Sequence, residues 1–443
     1  MLQKNELYDA TIEEVNNLGY GVCRMDGQVV FVAQGVTGDR VRAHIIKVAK
    51  TYAVARIAEI LSPSEHRTAP ECGAFPRCGG CSFLHLTDEY ERRLKEGFVK
   101  HAVRAAGLDL EVRPLLWGKR RTAYRNKAQY PLYADSDGHI RVGFYARKTH
   151  APIDAAGCLL TPPFFTEIAR AFCEEFERVG LSVYDEESGT GLLRHLNLRC
   201  DTDERVSAEI VINAESGAKL RPIAERVFAK FERLVGVGVN FNTKNTNVIR
   251  GQKSTVLCGD PTLRQTLCGK SFSHGPASFF QVNTEATELL FGEARRLLDP
   301  KEGEDICDLY CGVGAVGQCI AAGSRLHGAD VVREAISFAE KNAAQNGIDA
   351  SYVAMDAAEY FAASGVFDAV LVDPPRGGMS EEMVRLLLSK QPKKILYISC
   401  NPQTLCRDLV ALTERVYETD GITPVDLFPK TGHVESVCLL TKK

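Results

Sequence analysis

The sequence contains no long hydrophobic run. Nowhere in its 443 residues do about 18 consecutive apolar residues occur, the length a membrane-spanning helix requires. The first residues, Met1 to Glu6, also lack the basic start and apolar core of a secretory signal peptide. We therefore expect a cytoplasmic protein with no membrane partner. A chain of this length exceeds one typical domain and predicts two or three.

The chain as a whole also lacks an excess of positive charge. Its net charge of −3 argues weakly against a nucleic-acid partner. One segment departs from this average: between Arg113 and His150 there are nine basic and only two acidic residues, a local net charge of +7, with aromatic residues between them. Positive charge beside aromatic rings is what phosphates and unstacked bases bind. This basic segment predicts an RNA-binding surface, and a solvated charged face is the alternative.

Cysteine, by contrast, is abundant. Fifteen cysteines in a chain without a signal peptide indicate reduced thiols, some of them metal-binding or catalytic. Cys72, Cys78 and Cys81 follow a C-x5-C-x2-C spacing, and Cys158 could supply a fourth thiol. Four thiolates suit zinc or an iron–sulfur cluster, and the spacing alone does not choose between them. Unligated free thiols are the third alternative.

The pattern of strands and helices divides the chain into three parts. Residues 1–62 read as short strands separated by glycine turns, which predicts a small closed β-barrel. Residues 63–270 are a mixed α+β region whose topology the pattern does not define. Residues 271–443 alternate strands with amphipathic helices and end in two strands joined by a short connection. That order predicts a parallel sheet closed by an antiparallel pair, the α/β architecture of a class I, Rossmann-like methyltransferase domain.

A glycine-rich loop, Cys311–Gly317, follows the first strand of this last part. Its G-x-G-x-x-G pattern brings backbone close to a nucleoside cofactor, and nicotinamide dehydrogenases share it. Asp330, at the end of the next strand, could bind ribose in either class. Asp373 lies in an Asp-Pro-Pro-Arg sequence at the end of the fourth strand. That segment resembles the Asp/Asn-Pro-Pro signature of methyltransferases acting on nucleobases, and it has no evident role in a dehydrogenase.

Three reactive side chains are expected at one edge of the sheet. Cys400 ends the fifth strand, Asp373 ends the fourth, and Glu435 lies at the start of the last, antiparallel strand. Carboxyl ends of parallel strands and the beginning of an antiparallel strand share the same edge, so these groups should face one crevice. We predict catalytic roles for all three. The alternative for Cys400 is a small buried hydrophobic side chain.

Four motifs together resemble those of the RNA 5-methyluridine methyltransferases, the group that contains RumA, RlmCD and TrmA. They are Asp308-Leu309-Tyr310-Cys311-Gly312, Asp373-Pro374-Pro375-Arg376, Ser399-Cys400-Asn401-Pro402 and His433-Val434-Glu435-Ser436-Val437. A fifth stretch, Ser278-Phe279-Phe280-Gln281-Val282-Asn283, matches another motif of the group. The resemblance covers essentially the whole chain, and residues 19–42 are similar to a TRAM domain, an OB-like barrel of RNA-modifying enzymes.

The resemblance implies specific roles for these residues. S-adenosylmethionine would contact Gln281, Tyr310, Asp330, Asp356 and Asp373. Cys400 would attack C6 of uracil so that C5 can accept a methyl group, and Glu435 would remove the C5 proton. Two positions depart from the group: Ala315 stands where a polar residue is usual, and Asp330 stands where Glu is usual.

The resemblance also implies a 4Fe-4S cluster, rather than zinc, on Cys72, Cys78, Cys81 and Cys158. A barrel together with such a cluster is more similar to the 23S rRNA enzymes than to the bacterial tRNA enzyme, which lacks both. Archaeal tRNA relatives carry similar parts, so a tRNA uridine remains the alternative. We expect a monomer whose partner is structured RNA, with 23S rRNA favoured. A different class, an RNA-binding module with an inactive methyltransferase domain, is disfavoured by the intact Asp373, Cys400 and Glu435.

Overall fold

A computed structural model of the chain describes residues 1–154, 157–321 and 323–443. The N-terminal part is a six-stranded sheet with the strand order β1–β5–β6–β4–β3–β2. Its strands are β1 Leu7–Thr11, β2 Glu14–Val15, β3 Tyr20–Met25, β4 Gln28–Ala33, β5 Arg40–Val48 and β6 Tyr52–Ser62. Alternate side chains of these strands form a separate apolar core around Val30, Val32 and Val41. The predicted β-rich domain is confirmed, and its OB-like character stays a prediction.

The next elements join the far end of the chain. They are α1 Asp88–Ala105, β7 Glu111–Val112 and β8 Leu116–Trp117. The Thr87 hydroxyl caps α1 by accepting a hydrogen bond from the Tyr90 N–H at 3.4 Å. Three acidic residues in the first turn stabilise the helix further, because their negative charges interact favourably with the positive end of the helix dipole. Val99, Ala102 and Val103 of α1 belong to the core of the C-terminal sheet. The helix is therefore packed into that part of the molecule.

The central part is a seven-stranded sheet with two helices on one face. Its elements are β9 Lys127–Ala134, β10 Ile140–Tyr145, β11 Pro152–Asp154, α2 Pro163–Val179, β12 Leu193–Cys200, β13 Val206–Ile212, α3 Arg221–Lys230, β14 Leu234–Phe241 and β15 Lys253–Gly259. The strand order is β11–β10–β9–β12–β13–β14–β15. Phe165, Phe172 and Phe176 of α2 fill the core beneath the helices. A hairpin, β16 Leu263–Leu267 and β17 Lys270–His274, leads out of this part.

The C-terminal part alternates helices and strands as the sequence predicted. Its elements are α4 Thr284–Leu298, β18 Asp305–Leu309, α5 Ala315–Ile320, β19 Arg325–Asp330, α6 Arg333–Asn346, β20 Ala350–Ala354, α7 Ala357–Ala363, β21 Ala369–Val372, α8 Glu381–Lys390, β22 Lys394–Ser399, α9 Pro402–Thr413, β23 Tyr417–Glu418, β24 Gly421–Asp426 and β25 Glu435–Lys442.

These strands form one mixed sheet in the order β20–β19–β18–β21–β22–β25–β24–β7. The first five are parallel, and β25 pairs antiparallel with both β22 and β24. The predicted methyltransferase-type sheet with its antiparallel end is confirmed. Beyond that prediction, β7 and β8 extend the sheet by pairing in parallel with β24. Among the described residues, no helix has the length and apolar character to cross a membrane.

Candidate active site

Cys400 lies at the junction between β22 and α9, at the carboxyl edge of the sheet. Pro402 occupies the first turn of α9, where its missing N–H costs nothing. The Asn401 side chain caps this helix by accepting from the Gln403 N–H at 3.1 Å. Cys400 itself is half-buried. The strand end and the capped helix thus hold Cys400 at the carboxyl edge of the sheet.

Glu435 lies opposite Cys400, at the start of the neighbouring strand β25. Ser399 of β22 is paired with Ser436 of β25, so the following residue of one strand faces the preceding residue of the other. Glu435 is buried, and burial, with the nearby charge of Asp373, raises the pKa of its carboxyl to about 8. Burial also raises the pKa of the Cys400 thiol, and the Glu435 charge adds to this rise. The two side chains therefore share one electrostatic environment.

Asp373 completes this group at the end of β21, the strand beside β22. Burial raises the pKa of its carboxyl to about 7. Arg376 follows three residues later, and its positive charge lowers the pKa of both Cys400 and Glu435 against the stronger effect of burial. Its backbone carbonyl accepts a hydrogen bond from the Asn401 amide at 3.1 Å. Arg376 was not assigned a role from sequence, although it stands in the same motif as Asp373.

The residues predicted to bind a cofactor gather at the neighbouring strand ends. Tyr310 follows β18 in a left-handed conformation with φ of +69°, which is unusual for a residue other than glycine and typical of functional loops. Asp330 ends β19, and its carboxylate accepts from the Gly312 N–H at 3.1 Å. Burial raises the pKa of the Tyr310 hydroxyl, and Asp356 lies near enough for its charge to raise that pKa further. Asp356 also caps α7 by accepting from the Ala358 N–H at 2.9 Å.

Asp308, on β18, contacts the glycine-rich loop, and the sequence analysis assigned it no role. It is buried, and its carboxylate accepts from the Gly317 N–H at 2.9 Å. Burial, with the charges of Asp373 and Asp330, raises its pKa to about 7. A Cβ added at Gly314 would come within 2.6 Å of Gln318 Nε2. Gly314 also has a left-handed backbone, with φ of +79°, so the loop favours glycine at that position.

The backbone of Gln281 is held by a hydrogen bond from the basic segment. It lies in the loop before α4, where its carbonyl accepts from the Asn126 amide at 2.9 Å. The Asn126 N–H donates to the Val282 carbonyl at 2.9 Å. The neighbouring ring of Phe279 is 71% exposed. Two hydrogen bonds thus tie this loop to the residue that precedes β9 of the central sheet.

The structure divides the basic segment into two kinds of residue. Lys119 and Arg120 are exposed, and Trp117 stacks beneath the Arg92 guanidinium at 3.9 Å. Arg121, in contrast, forms ion pairs with Glu91 and Asp426, whose side chains are fully buried. Tyr124 and Tyr130 are also buried. For these last three residues the prediction of an RNA-binding surface is replaced by a structural role.

The four cysteines singled out from the sequence line one cavity. Cys72, Cys78, Cys81 and Cys158 border a space of about 680 Å³ together with Arg125 and Lys127. Burial, with the charges of the other three thiols, raises the pKa of Cys81 to about 12. Within residues 1–154, 157–321 and 323–443, however, no three Cys, His, Asp or Glu side chains stand close enough to hold one metal ion. The thiols are gathered, and the iron–sulfur cluster stays a prediction.

Comparisons with known proteins show RNA methyltransferases as relatives of this chain. A family model described as tRNA (Uracil-5-)-methyltransferase matches residues 246–443, and a TRAM domain model matches residues 2–58. An uncharacterized RNA methyltransferase of Bacillus cereus is 35% identical over all of this chain and 98% of its own length. One from Clostridium tetani is 33% identical over 99% and 97%.

A solved structure is similar over nearly the entire chain. It is the crystal structure of Pyrococcus abyssi tRNA (uracil-54, C5)-methyltransferase in complex with S-adenosyl-L-homocysteine. The similarity covers 98% of this chain and 100% of that one, with a TM-score of 0.79 and 25% identity. The arrangement of all three parts is therefore shared with that enzyme.

Proposed function

Because this chain belongs to the family of S-adenosylmethionine-dependent RNA (uracil-5-)-methyltransferases, we propose that it methylates C5 of a uridine in 23S rRNA through a covalent bond between Cys400 and C6 of the base. The neighbourhood of Cys400, Glu435 and Asp373 at one sheet edge carries the proposal. An unmodified uracil C5 is a weak nucleophile, and a thiolate, a base and a polar contact are what its activation needs.

The first step places a thiolate against C6. The uridine leaves its stack to reach the crevice, at a cost of a few kcal/mol. The Cys400 thiolate bonds to C6, and the electron pair of the C5–C6 double bond moves to form an enolate, concentrating charge at C5. Arg376 favours the thiolate, since its charge lowers the thiol pKa. Asp373, with a pKa of about 7, exists in both forms at neutral pH and can donate to or accept from the polar edge of uracil.

The second step returns the base to its aromatic form. Bound S-adenosylmethionine supplies the methyl group that C5 accepts, and Gln281, Tyr310, Asp330, Asp356 and Asp373 are the residues that would hold it. Glu435 then takes the proton from C5, the electron pair re-forms the double bond, and the Cys400 thiolate leaves C6. A carboxyl with a raised pKa is a stronger base than an ordinary glutamate, which suits a carbon-bound proton.

Trapping the covalent intermediate tests this mechanism. Cys400→Ala should bind RNA and cofactor yet form neither adduct nor product. Glu435→Gln keeps the nucleophile and loses the base, so methylated RNA should remain attached to the enzyme through denaturing electrophoresis. RNA containing 5-fluorouridine should trap the unaltered enzyme in the same way, since fluorine cannot leave as a proton. Turnover by Cys400→Ala would contradict covalent catalysis, and no activity with any RNA would favour the inactive-module alternative.

The choice of 23S rRNA rests on the combination of a barrel and a cysteine cluster in one chain, which resembles the ribosomal RNA enzymes. A tRNA uridine is the second candidate, because the similar Pyrococcus abyssi enzyme is described as acting on uracil-54 of tRNA. Incubation of the protein with labelled S-adenosylmethionine and separate 23S rRNA and tRNA transcripts distinguishes the two. We expect label in rRNA. Label in tRNA alone would overturn the substrate proposal and leave the mechanism intact.

We also propose that Cys72, Cys78, Cys81 and Cys158 hold a 4Fe-4S cluster. Their convergence on one cavity supports this, and four thiolates are the ligands such a cluster takes. Methyl transfer needs no electron, so the cluster would have a structural role. Protein purified without oxygen should be brown and contain iron, and Cys158→Ser should lose as much iron as Cys78→Ser. Colourless protein with one zinc per chain would contradict the assignment.

A further inference from the structure

The segment that leads into the catalytic strand is fixed at successive backbone carbonyls. This junction segment, Leu427–Gly432, joins β24 to β25, and β25 begins at Glu435. Four of its carbonyls accept hydrogen bonds from elsewhere in the chain. The donors are Asn283 Nδ2 to Leu427 at 3.0 Å, Lys95 Nζ to Phe428 at 3.0 Å, the Tyr124 hydroxyl to Pro429 at 3.0 Å, and the backbone N–H groups of Ser82 and Phe83 to Lys430, each at 3.0 Å.

The donors of these bonds are themselves immobilised. Lys95 is fully buried, with its ammonium 2.6 Å from Asp426 and 2.9 Å from Glu91. Glu91 also accepts from the Lys430 N–H at 2.7 Å. Lys430 has a φ of +68°, a left-handed conformation that a lysine adopts only where the surroundings impose it. The path of the junction segment is therefore held in place by contacts with its neighbours.

Two of those donors, Ser82 and Phe83, belong to the loop that carries three of the four candidate ligand cysteines. They directly follow Cys81 in this cysteine loop, residues 72–83. The turn of the N-terminal domain at residues 16–19 contacts both the cysteine loop, at Ser82, and the junction segment, at Gly432. A Cβ added at Gly19 would lie 2.5 Å from the Ser82 carbonyl oxygen, and one added at Gly432 would lie 1.8 Å from the Asn17 carbonyl oxygen. Backbone thus meets backbone, with no room for adjustment.

We infer that the junction segment is a positioning element through which the TRAM domain and the cysteine loop set the location of Glu435. The inference rests on the proposed role of Glu435 as the base. Glu435 lies three residues beyond Gly432, and the intervening backbone runs directly into β25. Ser82 is hydrogen-bonded to Lys430 and Asn17 abuts Gly432, so a displacement of either partner should be passed to the junction segment. Because a misplacement of about 1 Å can cost up to about 100-fold in rate, the proton-removal step should respond to it.

Two glycines of the TRAM domain provide a matched test in the full-length protein. Gly19 and Gly27 both have left-handed backbones, with φ of +79° and +75°, so alanine strains both turns alike. Gly19 abuts Ser82, whose N–H donates to Lys430 of the junction segment, whereas a Cβ at Gly27 would meet nothing within 4 Å. In Gly19→Ala we expect the methylated adduct to decay about tenfold or more slowly than in Gly27→Ala. Adduct formation and S-adenosylmethionine affinity should remain equal in the two variants.

A structural readout and a milder variant accompany the kinetics. Hydrogen exchange at the Ser82 and Phe83 amides should accelerate in Gly19→Ala and not in Gly27→Ala. Tyr124→Phe removes only the hydrogen bond to Pro429 and should also slow adduct decay, which keeps the test valid if Gly19→Ala does not fold. Equal decay in Gly19→Ala and Gly27→Ala, or no effect of Tyr124→Phe, would overturn the positioning role. Failure of Glu435→Gln to trap an adduct would instead overturn the base assignment.

Discussion

Glu435 is the residue whose protonation should control product release. Its pKa of about 8 means that the carboxyl is mostly protonated at pH 7, whereas a base must be ionised. The rate of adduct decay should therefore rise with pH through about 8. Single-turnover measurements between pH 6 and 9.5 would show this, and a decay rate independent of pH would contradict it.

Arg376 should lower the pH at which both catalytic groups become active. Its charge lowers the pKa of Cys400 and of Glu435, so Arg376→Gln should move both pKa values upward. Adduct formation with 5-fluorouridine RNA at pH 7 should slow and should recover as the pH is raised. An exposed arginine remote from the crevice, such as Arg178, provides the control substitution. Slowing that persists at high pH would indicate a different role.

At the scale of elements, β9, β12 and the loop before β15 contribute a cationic group beside the loop of Gln281. Lys127, Arg199 and Arg250 line one narrow cleft with Glu209. Burial, with the charges of Arg199 and Arg250, lowers the pKa of Lys127 to about 8. Arg199 donates to the Ser278 carbonyl at 2.8 Å, next to exposed Phe279. The cleft has two more positive than negative charges, and we predict that it contacts an RNA phosphate.

Lys127→Gln should therefore weaken RNA binding. The slope of log affinity against log salt concentration should also fall in magnitude by about one unit, as expected for one lost phosphate contact. S-adenosylmethionine affinity should be unchanged. Filter binding over a series of salt concentrations measures both slope and affinity. Lys230→Gln, on α3 at the helical face of the central sheet, is the control, and equal slopes for the two variants would contradict the phosphate contact.

Arg121, six residues earlier, should behave oppositely. It is paired with two fully buried carboxylates, Glu91 and Asp426, and removing one member of a buried charge pair typically costs about 3–5 kcal/mol. Arg121→Gln should lower the free energy of unfolding by a comparable amount while leaving the salt slope of RNA binding intact. Urea denaturation monitors the first quantity. Unchanged stability with weakened RNA binding would restore the surface interpretation.

These two residues also show what the sequence could and could not predict. Strand ends are readable, because buried parallel strands have distinctive apolar runs, and so Asp373, Cys400 and Glu435 were placed together correctly at one edge. Charge patterns do not reveal which face is covered by distant chain, so Arg121 and Lys127 looked equivalent. The two-residue strands β7 and β8 are too short to carry a periodic signal. Their pairing with β24 depends on contacts that only the folded chain supplies.

At the scale of the whole molecule, the methyltransferase sheet is not a self-contained unit. Val99, Ala102, Val103 and Leu115 form part of its core, although all of them precede residue 271. A fragment of residues 271–443 would expose the surface that α1, β7 and β8 cover. We expect this fragment to show no cooperative thermal transition, whereas residues 63–443 should retain one. A sharp transition in the shorter fragment, followed by circular dichroism, would contradict this view.

The buried pair of Lys95 and Asp426 has a consequence for biosynthesis. The two residues are separated by 331 positions in the chain. At about 5–20 residues per second, translation takes on the order of tens of seconds to cover that distance. During most of that interval α1 has been synthesised, but the C-terminal sheet that covers its apolar face and the Asp426 carboxylate that pairs with Lys95 have not. The nascent chain is therefore incompletely folded at least until Asp426 has been translated, and a ribosome stalled before that codon would carry a chain in which Lys95 lacks this partner.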